Sequence, residues 1–174
     1  DGLDTDTGWR GGAHHGIEPH RAPTSTSRSA GCECTSAPTS TPYASRYLSQ
    51  PKIANWTLVG RNAPTDAHTV MHFDTGTNPT LINIVATSTT GSVAGCFDIA
   101  DADTQTSFDG GTTPSLRSIY MSCSVSYRPA NVARSTAVFT NARNTNVTAA
   151  GTSTLTAPAS GTTITNQNLA FING

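Results

Sequence analysis

Lysine is nearly missing from these 174 residues: Lys52 stands alone, and glutamate is limited to Glu18 and Glu33. Residues that favour exposed helix faces are therefore scarce. Charged side chains make up 12% of the chain, the formal net charge is -1, and the arginines are scattered. A face that grips nucleic acid needs clustered Lys and Arg, so nucleic acid is excluded as a partner. No run reaches the ~18 apolar residues of a membrane helix, so no membrane span is expected. Aromatics are sparse at 6%. No internal repeat is visible. No Ser-His-Asp arrangement follows from spacing, and hydroxyls are so common that any single one is uninformative. No catalytic residue is assigned, and the expectation is a protein that is not an enzyme.

What is abundant is Ser and Thr, roughly a quarter of the chain and above ordinary usage. With Val, Ile, Asn and Gly they suit strands and turns. Leu81 to Ala86 is an apolar, β-branched run ending in the turn-like Thr89-Thr90-Gly91-Ser92. Val93 to Ala100 follows, and the pair reads as a hairpin. Val93 to Ala100 is apolar on both faces, so both should be covered. Ile119, Met121, Cys123, Val125 and Tyr127 alternate with polar residues, the pattern of a half-buried strand. Ile53 to Gly60 and Ala67 to Asp74 read as strands, with Asn55 facing out and Trp56 in. Asp101 to Pro114 reads as a long polar loop, and Val132 to Thr140 as a strand. Asn146 to Ala150 with Ser153 to Ala157, and finally Ile164 to Ile172, complete eight or nine strands. Short connections favour antiparallel pairing. The expected fold is an all-β antiparallel sandwich, jelly-roll or Ig-like, over residues 51–174. Residues 1–50, rich in Gly, Pro, Ser, Thr and His, read as a long, largely irregular N-terminal arm.

Four cysteines, Cys32, Cys34, Cys96 and Cys123, suggest two disulfides in a secreted, extracellular chain. Either Cys32 and Cys34 bond Cys96 and Cys123, or Cys96 bonds Cys123 and Cys32 bonds Cys34. Asp98, Asp101 and Asp103 form a weak Ca²⁺ candidate, beside the bland reading of solvated turn carboxylates. His68 and His72 lie four apart with Asp74 nearby, a second metal candidate. Otherwise no cofactor is expected. Asn55 and Asn146 stand in Asn-x-Thr tripeptides and are glycosylation candidates of a glycoprotein.

These features point to a structural, self-assembling subunit of an extracellular filament, pilus-like fibre or surface layer. Its partners would be copies of itself, a homopolymer joined by terminal arm or strand exchange, and glycans. Trp9 in the arm and Leu169, Phe171 and Ile172 in the last strand are the assembly candidates. The alternatives are a jelly-roll capsid protein of a small virus, or a secreted carbohydrate-binding or adhesin module with Trp9, Trp56, Tyr43 or Tyr47 as stacking platforms.

Overall fold

The computed structural model describes residues 3–19, 30–36, 42, 47–60, 69–88, 95–111 and 115–149. Its strands are β1 (Leu3–Thr5), β2 (Gly12–Pro19), β3 (Cys32–Cys34), β4 (Lys52–Gly60), β5 (Thr69–Phe73), β6 (Thr80–Ser88), β7 (Gly95–Ile99), β8 (Leu116–Ser122) and β9 (Thr145–Ala149). Helix α1 (Ala102–Gly110) lies between β7 and β8, and α2 (Val132–Phe139) between β8 and β9. Up to β8, successive strands alternate between two sheets. One runs β1-β3-β5-β7 and the other β2-β4-β6-β8-β9. Every pairing in both is parallel. The chain therefore winds as a coil. Each circuit lays one strand on each sheet and advances by one strand spacing, ~4.8 Å.

These pairings overturn the antiparallel sandwich, and the pilus-like comparison falls with it. The expected hairpin does not exist, because β6 and β7 belong to different sheets. Period-two alternation reports which way a side chain faces and is the same for both strand directions. Short connections misled for a related reason: here they lead to the other sheet instead of to the adjacent strand. The irregular arm is also corrected. Its residues supply β1, β2 and β3, paired with one another or with β4 and β5.

Two further corrections concern helices. The stretch read as a polar loop holds α1, whose N-cap Asp101 accepts a hydrogen bond from Thr104 N–H at 2.8 Å. Asp103 in the first turn complements the helix dipole. The run read as a strand is α2. It follows a 3-10 turn opened by Pro129 and buries Ser135, Val138 and Phe139, one helical stripe. The segment 153–157 and the final strand Ile164–Ile172 lie outside the described residues.

The core fills the inside of the coil, where register stacks like positions. Cys32, Met71 and Phe97 form one column and Cys34, Phe73 and Ile99 the next. From the opposite sheet come Ile53, Leu81 and Leu116, then Trp56, Ile84, Ile119 and Val147. Both helices press on the end of this core. Phe108 and Phe139 set ring edges against Phe97, and Tyr127 meets Phe139. That cover explains why all five residues of β7 are buried. A disulfide, Cys96–Cys123, ties β7 to the end of β8 across 27 residues. A loop of that length is worth about 3–4 kcal/mol in the chain-entropy account.

The second sheet bends at one height in every coil. His15, Asn55, Asn83, Ser118 and Asn146 all have positive φ, between 53° and 60°. Register places them in one column. Their side chains bond along it: Asn83 Nδ2 donates to Asn55 Oδ1 at 2.8 Å and Asn146 Nδ2 to Ser118 Oγ at 3.3 Å. Asn55 Nδ2 lies 3.2 Å from His15 Nε2. Asparagine tolerates left-handed backbone because its short amide bonds locally. Asn83→Val should therefore destabilise the chain by about 2 kcal/mol, through a strained φ and a lost hydrogen bond. Asn83→Gly should cost less, since glycine takes positive φ freely. Urea unfolding of the two variants checks this, and equal costs would show that backbone conformation is not the constraint.

Candidate functional site

The site begins on the outer face of the first sheet. Met71 and Phe73 face the core, so His72 between them faces away, as does Asp98 between Phe97 and Ile99. Register aligns Glu33, His72 and Asp98. An isolated bridge pairs Phe97 with Tyr127, which puts Arg128 on the next rung. The row thus alternates in sign across the rungs. His72 Nδ1 meets Asp98 Oδ2 at 2.9 Å, and Arg128 Nη1 donates to the same oxygen at 3.2 Å. Asn131 Nδ2 donates to Asp98 Oδ1 at 2.7 Å. Asp98 is fully buried and His72 is 5% exposed. Buried charge survives only when paired in this way.

The row adjoins the edge where the first sheet turns toward the second. Asp74 follows β5 and lies 3.9 Å from His72 Nε2. Thr75 N–H donates to Asp74 Oδ1 and to Asp101 Oδ2, both at 2.7 Å. Two carboxyls from neighbouring coils thus converge on one donor. Polar contacts continue along the edge toward the first coil. Ser36 N–H donates to Thr75 Oγ1 at 2.6 Å, and Thr35 Oγ1 to Asp6 Oδ1 at 2.6 Å. Ser49 Oγ donates to the Asp6 carbonyl at 2.8 Å. Half-buried Trp9 and exposed Tyr47 stand at this end, with Tyr47 Cβ packed over Gly8.

The environment splits the ionisations. Burial alone would lower the His72 pKa, but contacts with Asp74 and Asp98 outweigh it and raise the value to about 9. The imidazole is therefore charged at neutral pH. The His72 cation pulls Asp74 well below the ordinary carboxylate range against its burial. For Asp98, burial acts upward, yet His72, Asn131 and Arg128 together bring it below the ordinary value. Asp101 moves the other way, raised first by burial and then by Asp74. The pair holds one carboxylate firmly ionised beside one that binds a proton more readily, the asymmetry that acid–base chemistry uses.

Of the other residues singled out from the sequence, some belong to this site and others lie apart. Asn55 is half-buried in the bend column, and Asn146 is exposed on β9. Asp98 is engaged in the charge row, Asp101 caps α1, and Asp103 lies in that helix's first turn. Among the described residues, no group of three or more His, Cys, Asp or Glu is placed to hold a metal ion. Cys32 and Cys34 are buried in the core, apart from the Cys96–Cys123 disulfide. His68, Tyr43, Leu169, Phe171 and Ile172 lie outside the described residues. No described helix is long and apolar enough to cross a membrane. Sequence reasoning singled out His72 and Asp74 but missed Arg128, Asn131 and Thr75. Arg128 and Asn131 reach Asp98 across 30 and 33 residues, and no local pattern links them.

The row makes stability depend on pH. The folded pKa of His72, about 9, lies above its ordinary 6.5. Its contribution is complete below pH 6.5 and is lost as pH rises through 9. Asp74 and Asp98 lie below their ordinary 3.8, so their contributions are present above that value and lost on acidification. His72→Gln should lower the unfolding free energy at pH 6 by about 2–3 kcal/mol, the scale of a hydrogen bond to a charged group. It should also flatten the decline between pH 6.5 and 9. Urea unfolding at both pH values measures this, and a wild-type curve without that decline would refute the charged imidazole.

A parallel two-sheet coil with stacked core columns and an aligned bend is the geometry of a parallel β-helix. The model of the pectate-lyase-like beta helix domain matches residues 1–165. No curated protein and no solved structure matches the chain. With nearly its whole length matched and its coils wound accordingly, the chain belongs to the pectate-lyase-like beta helix domain family.

Proposed function

We propose that the chain is a secreted carbohydrate-binding module that holds a glycan along the coil edge. The observation that carries this is Tyr47, 79% exposed and set against Gly8, at one end of an edge bearing Asp6, Thr35, Asp74 and Asp101. An aromatic face accepts the apolar side of a sugar ring, while carboxylates and hydroxyls accept its hydroxyl hydrogens. Consecutive coils repeat these acceptors at strand spacing, which suits a linear chain of sugars. Three carboxyls on the edge favour a neutral, hydroxyl-rich polymer over a polyanion. The family supports a carbohydrate partner by analogy of fold. Binding without cleavage fits best, since Asp98, the most strongly held carboxylate of the row, is shut off from solvent. Tyr47→Ala should weaken binding to a neutral polysaccharide about tenfold and leave stability within about 0.5 kcal/mol, as for an exposed site. Titration against neutral and acidic polymers, with an assay for newly released chain ends, tests this. Unchanged affinity in the variant would sink the reading, and released ends would make the site catalytic.

A second reading, the self-assembling structural subunit, draws on β9. This strand extends the second sheet by one rung with four of its five residues exposed, and its outer edge pairs with no described strand. A sheet edge of this kind accepts a parallel strand from another copy. Val147→Pro, which removes a backbone donor from β9, should reduce association about tenfold or more. Sedimentation over a wide concentration range measures it, and a wild-type chain that stays monomeric throughout would end this reading.

A further inference from the structure

Cys32 and Cys34 occupy the two ends of β3, and both face the core. Their sulfurs stand 2.8 Å apart, and their residue exposures are 2% and 0%. Two sulfurs gripping a tetrahedral soft metal ion through ~2.3 Å bonds would sit ~3.8 Å apart. The observed separation is a full ångström shorter, so the pair is set for a sulfur–sulfur bond and not for a bridged ion. Two strand residues in an i, i+2 relation span ~6.4–6.8 Å between α-carbons, the upper end of what a disulfide bridges. Closure therefore asks for a slight shortening of a three-residue strand. The pair also raises the Cys32 pKa, first through the hydrogen bond with Cys34 and then through burial. The resting Cys32 thiol is thus held in its protonated, weakly nucleophilic form where it lies. Among the described strands, β1 alone lies outside β3 in the first sheet, and it pairs with β3 at three positions.

We propose that Cys32 and Cys34 close into an intrastrand disulfide, a second cross-link inside the first coils. A thiolate formed while β1 is undocked attacks a low-molecular-weight disulfide such as oxidised glutathione. This gives a mixed disulfide and releases one glutathione thiol. The second protein thiol, losing its proton, displaces the other glutathione. Two protein thiols are oxidised, one glutathione disulfide is reduced to two thiols, and the protons lost by the cysteines are taken up by the glutathione sulfurs. Docking of β1 then seals the bond from solvent and from reductant. The proposal is independent of the glycan reading.

The test uses the full chain, refolded in a buffer of oxidised and reduced glutathione. The protein is denatured without reductant, alkylated, digested and weighed by mass spectrometry. The expected result is no alkylation at any cysteine and a peptide holding both Cys32 and Cys34 that is lighter than the dithiol by two hydrogens. Cys34→Ser should then leave Cys32 open to alkylation or capped by glutathione. Alkylation of both cysteines in the unvaried chain would overturn the proposal. So would a bond from either to Cys96 or Cys123, persistent glutathione caps, or thiols shielded by a co-purifying metal without that mass loss.

Discussion

In a parallel coil no circuit satisfies its own backbone. The N–H and C=O groups of each strand find partners on the coil before and the coil after, so folding is a matter of stacking. Stacking tolerates neither a slip in register nor a bend at the wrong height. That requirement accounts for the column from His15 to Asn146, where five residues adopt positive φ one above another. It also accounts for the core, whose columns run across coils instead of along any one segment. A substitution in one coil is therefore felt as a misfit by its neighbours.

The outer face of the first sheet obeys the same constraint with different chemistry. Where the inner columns place apolar groups in contact, the outer row places charges of alternating sign one rung apart. The segment carrying Arg128 and Asn131 comes over Asp98 and shuts it from water. Such burial would be prohibitive for a lone carboxylate, and three partners offset it. The row is thus a structural clamp. Its consequence is local: it presents a cation to Asp74 and so divides the behaviour of Asp74 from that of Asp101 at the exposed edge. The glycan reading rests on that edge.

The two helices interrupt the regular alternation of strands between the sheets. Phe108 and Phe139 close on Phe97, and the Cys96–Cys123 bond fixes the same coil. Beyond them β9 still adds a rung to the second sheet. Among the described residues the coil is therefore better sealed over its core than along β9, a contrast on which the self-association reading depends.

Composition and alternation by themselves determined that the chain is all-β, that β4, β5 and β6 lie close to where they do, and that β7 is covered on both faces; the strand read through Tyr127, β8, begins at Leu116 and ends instead at Ser122. They also allowed Cys96 to meet Cys123. Strand direction, strand partner and the helical state of 102–110 and 132–139 were decided by tertiary structure. The Asp101 cap and Pro129 were present as helix signals, but the polar run after Asp101 spoke for a loop, and Val, Phe and Thr in 132–140 spoke for a strand. The repeated Asn before a large apolar residue, at Asn55-Trp56, Asn83-Ile84 and Asn146-Val147, was the legible trace of the coil. It was hidden by unequal spacing, 28 residues in some circuits and 40 in another. The physical reason is general to such folds. Local pattern records which way a side chain points, whereas the partners of His72, Asn83 and Asp98 lie a whole circuit away and are brought near only when the coils stack.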